Sequence, residues 1–142
     1  VTLIFSKSKK LSDIKNALFK GRTVVYYNDL LIGKEENLKP LIEKSIEVSI
    51  KGKINQGYSE DGASTILSIE IKNKCSANLI LKNLSNFTFE KNADIFTVKG
   101  QESIILRIKV GDKKMTELLK FKILNGLIEP KKYLEVEFPI GI

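Results

Sequence analysis

The sequence predicts a mainly β protein: an antiparallel sandwich of seven to eight strands, preceded by a small α+β unit of strand, helix, hairpin and helix. Three observations carry this expectation. From Ile46 onward, apolar residues recur at every second position. Clusters of Gly, Asn and Asp interrupt that alternation at short intervals. Before residue 46 the spacing is helical in two stretches, and a strand and a hairpin make up the rest. A chain of 142 residues suits one domain, or one small domain with an extension. At 42% hydrophobic it can build a core. The expected division is 1–45 and 46–142.

The N-terminal elements come first. "VTLIFSK" reads as a strand without alternation, as expected if both its faces are buried. "LSDIKNALFKG" reads as a helix. Ser12 suits its N-cap, Asp13 the positive end of its dipole, and Gly21 the left-handed position after its end. Ile14, Ala17 and Leu18 share one face. "TVVYY" and "LLIG" predict a hairpin around Asn28-Asp29. "KEENLKPLIEKS" predicts a short helix with Leu38, Leu41 and Ile42 on its apolar face. Pro40 should shorten it or sit in its first turn. The cluster of Leu3, Phe5, Val24, Val25 and Tyr26 has two sides, which two short helices cannot both cover. An exposed apolar patch is expected on this unit, not on the sandwich.

The strands follow. Ile46, Val48, Ile50 and Ile54 define one face, against Glu47, Ser49, Lys51 and Lys53. Leu67, Ile69 and Ile71 define the next, then Leu79 and Leu81, Phe87 and Phe89, and Phe96 and Val98. Ile104, Leu106, Ile108 and Val110 continue the series, followed by Leu119, Phe121 and Ile123, and by Leu134, Val136 and Phe138. Successive strand side chains point to opposite faces, so each set lies on one side of its strand. Loops are expected at 55–64, 91–95, 99–103, 110–115 and 124–133. This strand count fits an immunoglobulin-like sandwich without the antibody hallmarks, since there is no Trp and no Cys pair. A small barrel is the alternative.

Charge narrows the function. The net charge is +7, from 24 basic and 17 acidic residues. Only Arg22 and Arg107 are arginines, and arginine is the better phosphate fork. The lysines alternate with apolar residues in pairs such as 51 and 53, 72 and 74, and 120 and 122. They read as a solvated sheet face that protects edges from pairing, not as a nucleic-acid groove. No apolar run reaches the roughly 18–20 residues that span a bilayer. The first residue is Val and no signal peptide is visible, so the chain is expected to be processed or cut from something longer.

The stretch "NALFKGRTVVYY", from Asn16 to Tyr27, resembles the "eAL..GRT.v" pattern found at the last strand and helix of PHP-type (polymerase and histidinol phosphatase) phosphoesterase domains. With alternating strands behind it, the order is similar to that of phosphodiesterase-like proteins of Bacteroidetes that carry an Ig-like domain after the catalytic barrel. The resemblance implies that 1–45 is the edge of such a domain and 46–142 its trailing Ig-like module. It implies a metal-dependent parent enzyme with divalent metals in its catalytic domain, in the periplasm or secreted. The implied partner is the upstream catalytic domain of the same polypeptide, with a homo-oligomer through the N-terminal unit as a further option.

This chain contains no His, and PHP sites bind their metals through many His with Asp and Glu. No catalytic, cofactor-binding or metal-ligating residue is therefore carried over, and no cofactor is expected in this chain. A metal-activated water needs about three converging ligands. Glu35-Glu36 reads as a helix N-terminal pair, and Glu60-Asp61 as a solvated loop tip with a weak Ca²⁺ site as the lesser reading. Glu135 and Glu137 read as an outward pair facing lysines. Cys75 reads as a partly buried small side chain near a turn; a thiol nucleophile lacks a His base. No phosphate-binding Gly loop occurs. The short sequons at 83–85 and 86–88 carry no weight. The expectation is an accessory, non-catalytic region of a phosphoesterase. The alternative is a stand-alone adhesion or glycan-binding sandwich, for which Tyr26, Tyr27, Tyr58 and Tyr133 are the scattered aromatic candidates.

Overall fold

A computed structural model describes residues 1–59, 62–89, 94–110 and 118–140. The elements are β1 (Thr2–Ile4), α1 (Leu11–Phe19), β2 (Thr23–Tyr27), β3 (Leu30–Gly33), α2 (Glu35–Ser45), β4 (Ile46–Ser59), β5 (Gly62–Asn73), β6 (Leu79–Asn83), β7 (Thr88–Phe89), β8 (Ile95–Val98), β9 (Ser103–Val110), β10 (Leu118–Glu129) and β11 (Lys132–Pro139). The expected order of strand, helix, hairpin and helix is present, with eight described strands behind it.

Two open sheets form. One is ordered β4-β5-β9-β7. The other is ordered β1-β2-β3-β10-β6-β8, with β11 also on β10. Neither closes on itself among the described residues, so the barrel alternative does not hold. The N-terminal hairpin joins the sandwich directly: β3 pairs in parallel with β10 through Leu31↔Gly126 and Ile32↔Leu127.

Most of the core is the one that the alternation predicts; buried Ile66, beside Leu67, lies outside it. Leu67, Ile69, Ile71, Leu106, Ile108, Leu119, Phe121, Ile123, Leu134 and Val136 are fully buried. Lys120 is exposed and Arg107 half-buried, so the register of these strands is as expected. Edge-to-face contacts link Phe89 to Phe96 at 6.0 Å and Phe96 to Phe121 at 5.8 Å, joining β7 of one sheet to β8 and β10 of the other. Phe138 extends the series, 6.4 Å from Phe121.

Two bulges overturn local expectations. In β4 the register shifts between Ile50↔Ile69 and Gly52↔Ser68. The extra residue exchanges the faces, so Ile54 is exposed instead of continuing the apolar set. In β10 the ladder with β11 shifts between Ile123 and Leu127 and again before Glu129. Residues 124–129, expected as a loop, are strand, and only Pro130-Lys131 turn. Gly126 permits this close passage, because a Cβ there would lie 3.0 Å from Ile123 Cγ2. The expected loop at 55–64 is likewise shorter, since β4 runs to Ser59 and β5 starts at Gly62.

The N-terminal unit also departs from expectation. β1 is exposed along its whole length instead of buried on both faces, because it forms the free edge of the long sheet. The N-cap of α1 is Lys10, with no side-chain cap; Ser12 lies inside the helix. Gly21 adopts φ +65° after the helix, as expected. Its N–H donates to the Leu18 carbonyl and that of Arg22 to the Ala17 carbonyl, which is a Schellman closure. Ala17 is buried and Ile14 half-buried, but Leu18 is exposed. In α2, Leu38 and Ile42 are buried and Leu41 half-buried. Pro40 neither shortens α2 nor starts it. It sits mid-helix on the exposed side, where the carbonyl that loses its partner belongs to exposed Glu36. α2 packs chiefly on β11 and also touches β2, β3, β4 and β10. It runs into β4 without a linker, and the Lys74 N–H donates to the Ser45 carbonyl at 2.7 Å to tie the junction.

Candidate interaction surface

Cross-strand partners share a face, so the registers locate every side chain of the N-terminal sheet. Val24 and Leu31 point inward, where Leu38 and Ile42 of α2 join them in the core. Their neighbours point outward. Thr2 pairs with Val25, Val25 with Ile32, Ile32 with Leu127, and Leu127 with Tyr133. This is one continuous outward row across five strands, and it crosses from the N-terminal unit onto the sandwich. Val25 is 40% exposed, Ile32 43% and Tyr133 40%, while Leu127 is half-buried. Ile4 and Tyr27 flank the row on the same face and are exposed. α1 borders Ile4 through Ile14 across an open depression, and it presents Leu11, Leu18 and Phe19 to solvent. Phe19 is 94% exposed.

Further along β10 and β11 that outward face carries ion pairs, with Leu118 and, on β8, Ile95 as exposed apolar positions beyond them. Lys120 pairs with Glu137 at 3.5 Å and Lys122 with Glu135 at 4.0 Å, the cross-strand pairing that the alternation predicts. Such exposed pairs add little stability but keep the face solvated. On the other sheet Glu70 receives Lys51 at 2.9 Å and the hydroxyls of Ser103 at 3.0 Å and Ser49 at 3.5 Å. The hydrogen bonds from Lys51 and Ser103 hold its carboxyl below the ordinary value, with burial opposing.

A polar staple fixes the apolar row in place. Asn125 is buried where β3, β6 and β10 meet. Its amide donates to the carbonyls of Asp29 and Asn78, both at 2.7 Å, and its oxygen accepts from the Ile80 N–H at 3.0 Å. The hairpin turn supplies the other half. Asn28 and Asp29 take φ of 48° and 59°, the paired left-handed residues of a two-residue hairpin turn. The Tyr26 hydroxyl donates to Asp29 Oδ1 at 2.8 Å, and the Asn78 amide donates to Oδ2 at 3.4 Å. The bond to Asp29, aided by burial and by the carboxylate charge, raises the Tyr26 phenol above its ordinary value.

Among the described residues, those singled out in the sequence do not converge on chemistry. Glu35 and Glu36 occupy the first turn of α2 beside a 580 Å³ open depression that Lys34, Lys39, Pro40 and Glu43 also line. Glu60, Asp61 and the side chain of Tyr58 lie outside the described residues. Cys75 is half-buried, and its Sγ donates to Asn73 Oδ1 at 3.0 Å, a turn contact and not a paired nucleophile. Among the described residues no group of three or more His, Cys, Asp or Glu could hold a metal ion. Among them, too, no helix is long and apolar enough to cross a membrane. The fold brings together what the sequence left apart: Tyr27 and Tyr133 stand on one sheet face. Leu127 and Tyr133 fall in the stretch expected as a loop, where the apolar pair Leu127-Ile128 is the signal of a strand.

The apolar patch was expected on the N-terminal unit alone. Its extension through Leu127 to Tyr133 corrects that expectation, and the cause is the β10 bulge, which turns Leu127 outward.

No curated protein matches the sequence. Among solved structures, the chain is similar to a two-domain protein from Bacteroides vulgatus that contains a predicted PHP-like metal-dependent phosphoesterase. The likeness has a TM-score of 0.77 at 23% identity and covers 98% of this chain. It spans 38% of the other chain and is a likeness of fold. The model of an Ig-like domain family matches residues 45–139. That span takes in β4 to β11, the strands of both open sheets behind the N-terminal unit, and this chain belongs to the DUF5001 family of Ig-like domains.

Proposed function

We propose that this chain is the non-catalytic accessory C-terminal region of a metal-dependent PHP-like phosphoesterase, with a structural or interaction role. On this reading residues 1–45 are the edge of the PHP-like phosphoesterase domain, and 46–142 are the trailing Ig-like module. One observation carries the reading. The likeness to a two-domain protein with a PHP-like phosphoesterase covers 98% of this chain, so it includes the N-terminal unit as well as the sandwich. The chain's own residues do not fit a metal centre: it has no His, and its described carboxylates do not cluster. The divalent metals therefore belong to the parent catalytic domain, which on this reading is upstream in the same polypeptide. A periplasmic or secreted location accompanies the same reading.

The surface supports an interaction role. Tyr27 and Tyr133 share a face, but no Trp accompanies them, and the row between them is aliphatic. Such a row suits another protein surface better than a sugar.

Hydrolysis of a generic aryl phosphate with added Mn²⁺, Zn²⁺ or Mg²⁺ tests the proposal. The 142-residue chain should match buffer, and the product of the full reading frame should turn over. Turnover by the short chain that survives repurification and scales with protein overturns the non-catalytic reading. A reading frame without a His-bearing domain upstream of Val1 overturns the accessory reading.

A further inference from the structure

We infer that the outward row Val25–Ile32–Leu127–Tyr133, flanked by Ile4 and Tyr27, is the seat of the phosphoesterase domain in that two-domain arrangement. This rests on the function proposed above and names the surface through which it operates. At β2 and β3 the inward side already has its cover, because α2 closes over Val24 and Leu31. Among the described residues α1 borders the outward side at its β1 margin, where Ile14 and Ile4 line one depression. Across β2, β3, β10 and β11 the row is aliphatic or aromatic at each position, whereas β10 and β11 further along carry Lys120, Lys122, Glu135 and Glu137. On β10 and β11 the face thus passes from these ion pairs to the apolar row, as a covered area with a polar border does, while Leu118 and Ile95 are separate apolar positions beyond the pairs.

The fold likeness selects the occupant. The greater part of the similar two-domain chain lies outside the fold shared here, and that protein contains the predicted phosphoesterase. On the upstream reading, the catalytic domain joins this chain at β1, and Thr2 of β1 is the end of the row. The occupant arrives where the apolar face begins. Since the row crosses from β3 onto β10 and β11, a domain seated there grips the hairpin and the sandwich together. The Asn125 staple gives those strands a fixed relative position beneath it. The contact is apolar at its centre, so it should persist at high salt.

Thiol labelling tests this without perturbing the core. Val25→Cys and Ile32→Cys are made separately in the 142-residue chain and in the full two-domain protein, with Lys120→Cys as the control on the charged part of the face. The unsubstituted proteins serve as the blank for Cys75, and circular dichroism confirms folding of each variant. In the two-domain protein, the thiols introduced at positions 25 and 32 should react at least about tenfold more slowly than in the short chain, because a covered side chain reacts only through local opening. The Lys120→Cys rate should be the same in both. Equal rates at positions 25 and 32 in a two-domain protein that has phosphoesterase activity overturn the docking inference alone. Slow labelling in the short chain that accelerates on dilution identifies a second copy as the occupant and also overturns it. A reading frame that encodes no phosphoesterase domain removes the functional reading itself, a separate failure.

Discussion

The sandwich and the N-terminal unit solve the same burial problem in different ways. The sandwich has two sheets, so the apolar sides of β5, β9, β10 and β11 face one another and reach complete burial at Ile69, Ile108, Phe121 and Val136. The N-terminal hairpin has no second sheet. α2 covers its inward side, and its outward side leaves Val25, Ile32 and Tyr27 in contact with solvent. The hairpin is continuous with the seven-stranded sheet of the sandwich, joined by the two pairs Leu31↔Gly126 and Ile32↔Leu127 and by the Asn125 staple. The difference teaches that an alternating pattern declares a face but not its cover. Phe121 and Val25 are equally apolar claims on burial, and only the first is met within this chain.

The largest expected effect lies at the centre of the sandwich. Phe121→Ala should cost about 3–5 kcal/mol in denaturant unfolding, because it removes the ring that meets both Phe96 and Phe138. Lys120→Ala, one residue away on the solvated face, should cost about 0–0.5 kcal/mol. Similar losses at both positions would break the comparison, since they would place the two side chains in equivalent surroundings.

A smaller effect is expected at the junction. Asn125→Ala leaves the Asp29 and Asn78 carbonyls and the Ile80 N–H without that partner, and should cost about 1–3 kcal/mol. Hydrogen exchange sharpens this. In the parent chain, amides of 2–6 and 22–33 should exchange faster than those of 104–110 and 119–123, because the first set sits on a sheet covered from one side. The substitution should accelerate 22–33 further and leave 104–110 unchanged. Uniform protection across both sets before the substitution would show that the hairpin opens only with the whole fold.

The smallest effect concerns Glu70 on the outer face of the four-stranded sheet. Its folded-state value is held below the ordinary glutamate value of 4.5 by Lys51 and Ser103. A depressed carboxyl contributes stability above the unfolded value and loses it as pH falls through the folded value. Glu70→Gln should therefore differ from the parent at neutral pH, and the two unfolding curves should approach one another below 4.5. A gap that widens on acidification would contradict the assignment.

The mainly β class, the strand faces and the order of the N-terminal elements were legible in the sequence because they follow from local spacing. Strand side chains alternate and helical ones recur at three and four residues, so "ILRIKV" and "LKFKI" name their buried members without any partner in view. Gly21 and Asn28-Asp29 were equally legible, since each marks a left-handed backbone position. The bulges were not. One extra residue in β4 opposite β5 turns Ile54 outward, and a wider shift of β10 against β11, four residues opposite one between Ile123 and Leu127, turns Leu127 outward. Nor did the sequence distinguish β1 as an exposed edge strand from a doubly buried one, because a short apolar run reads alike in both places. The sequence by itself determined which residues are apolar, the left-handed turns at Gly21 and Asn28-Asp29, and that no His is available for metal chemistry. Only the tertiary structure decided that the hairpin joins the sandwich through β10, and that five strands thereby align one outward apolar row. Register and bulge placement are relations between segments distant in sequence, so no local pattern can encode them alone.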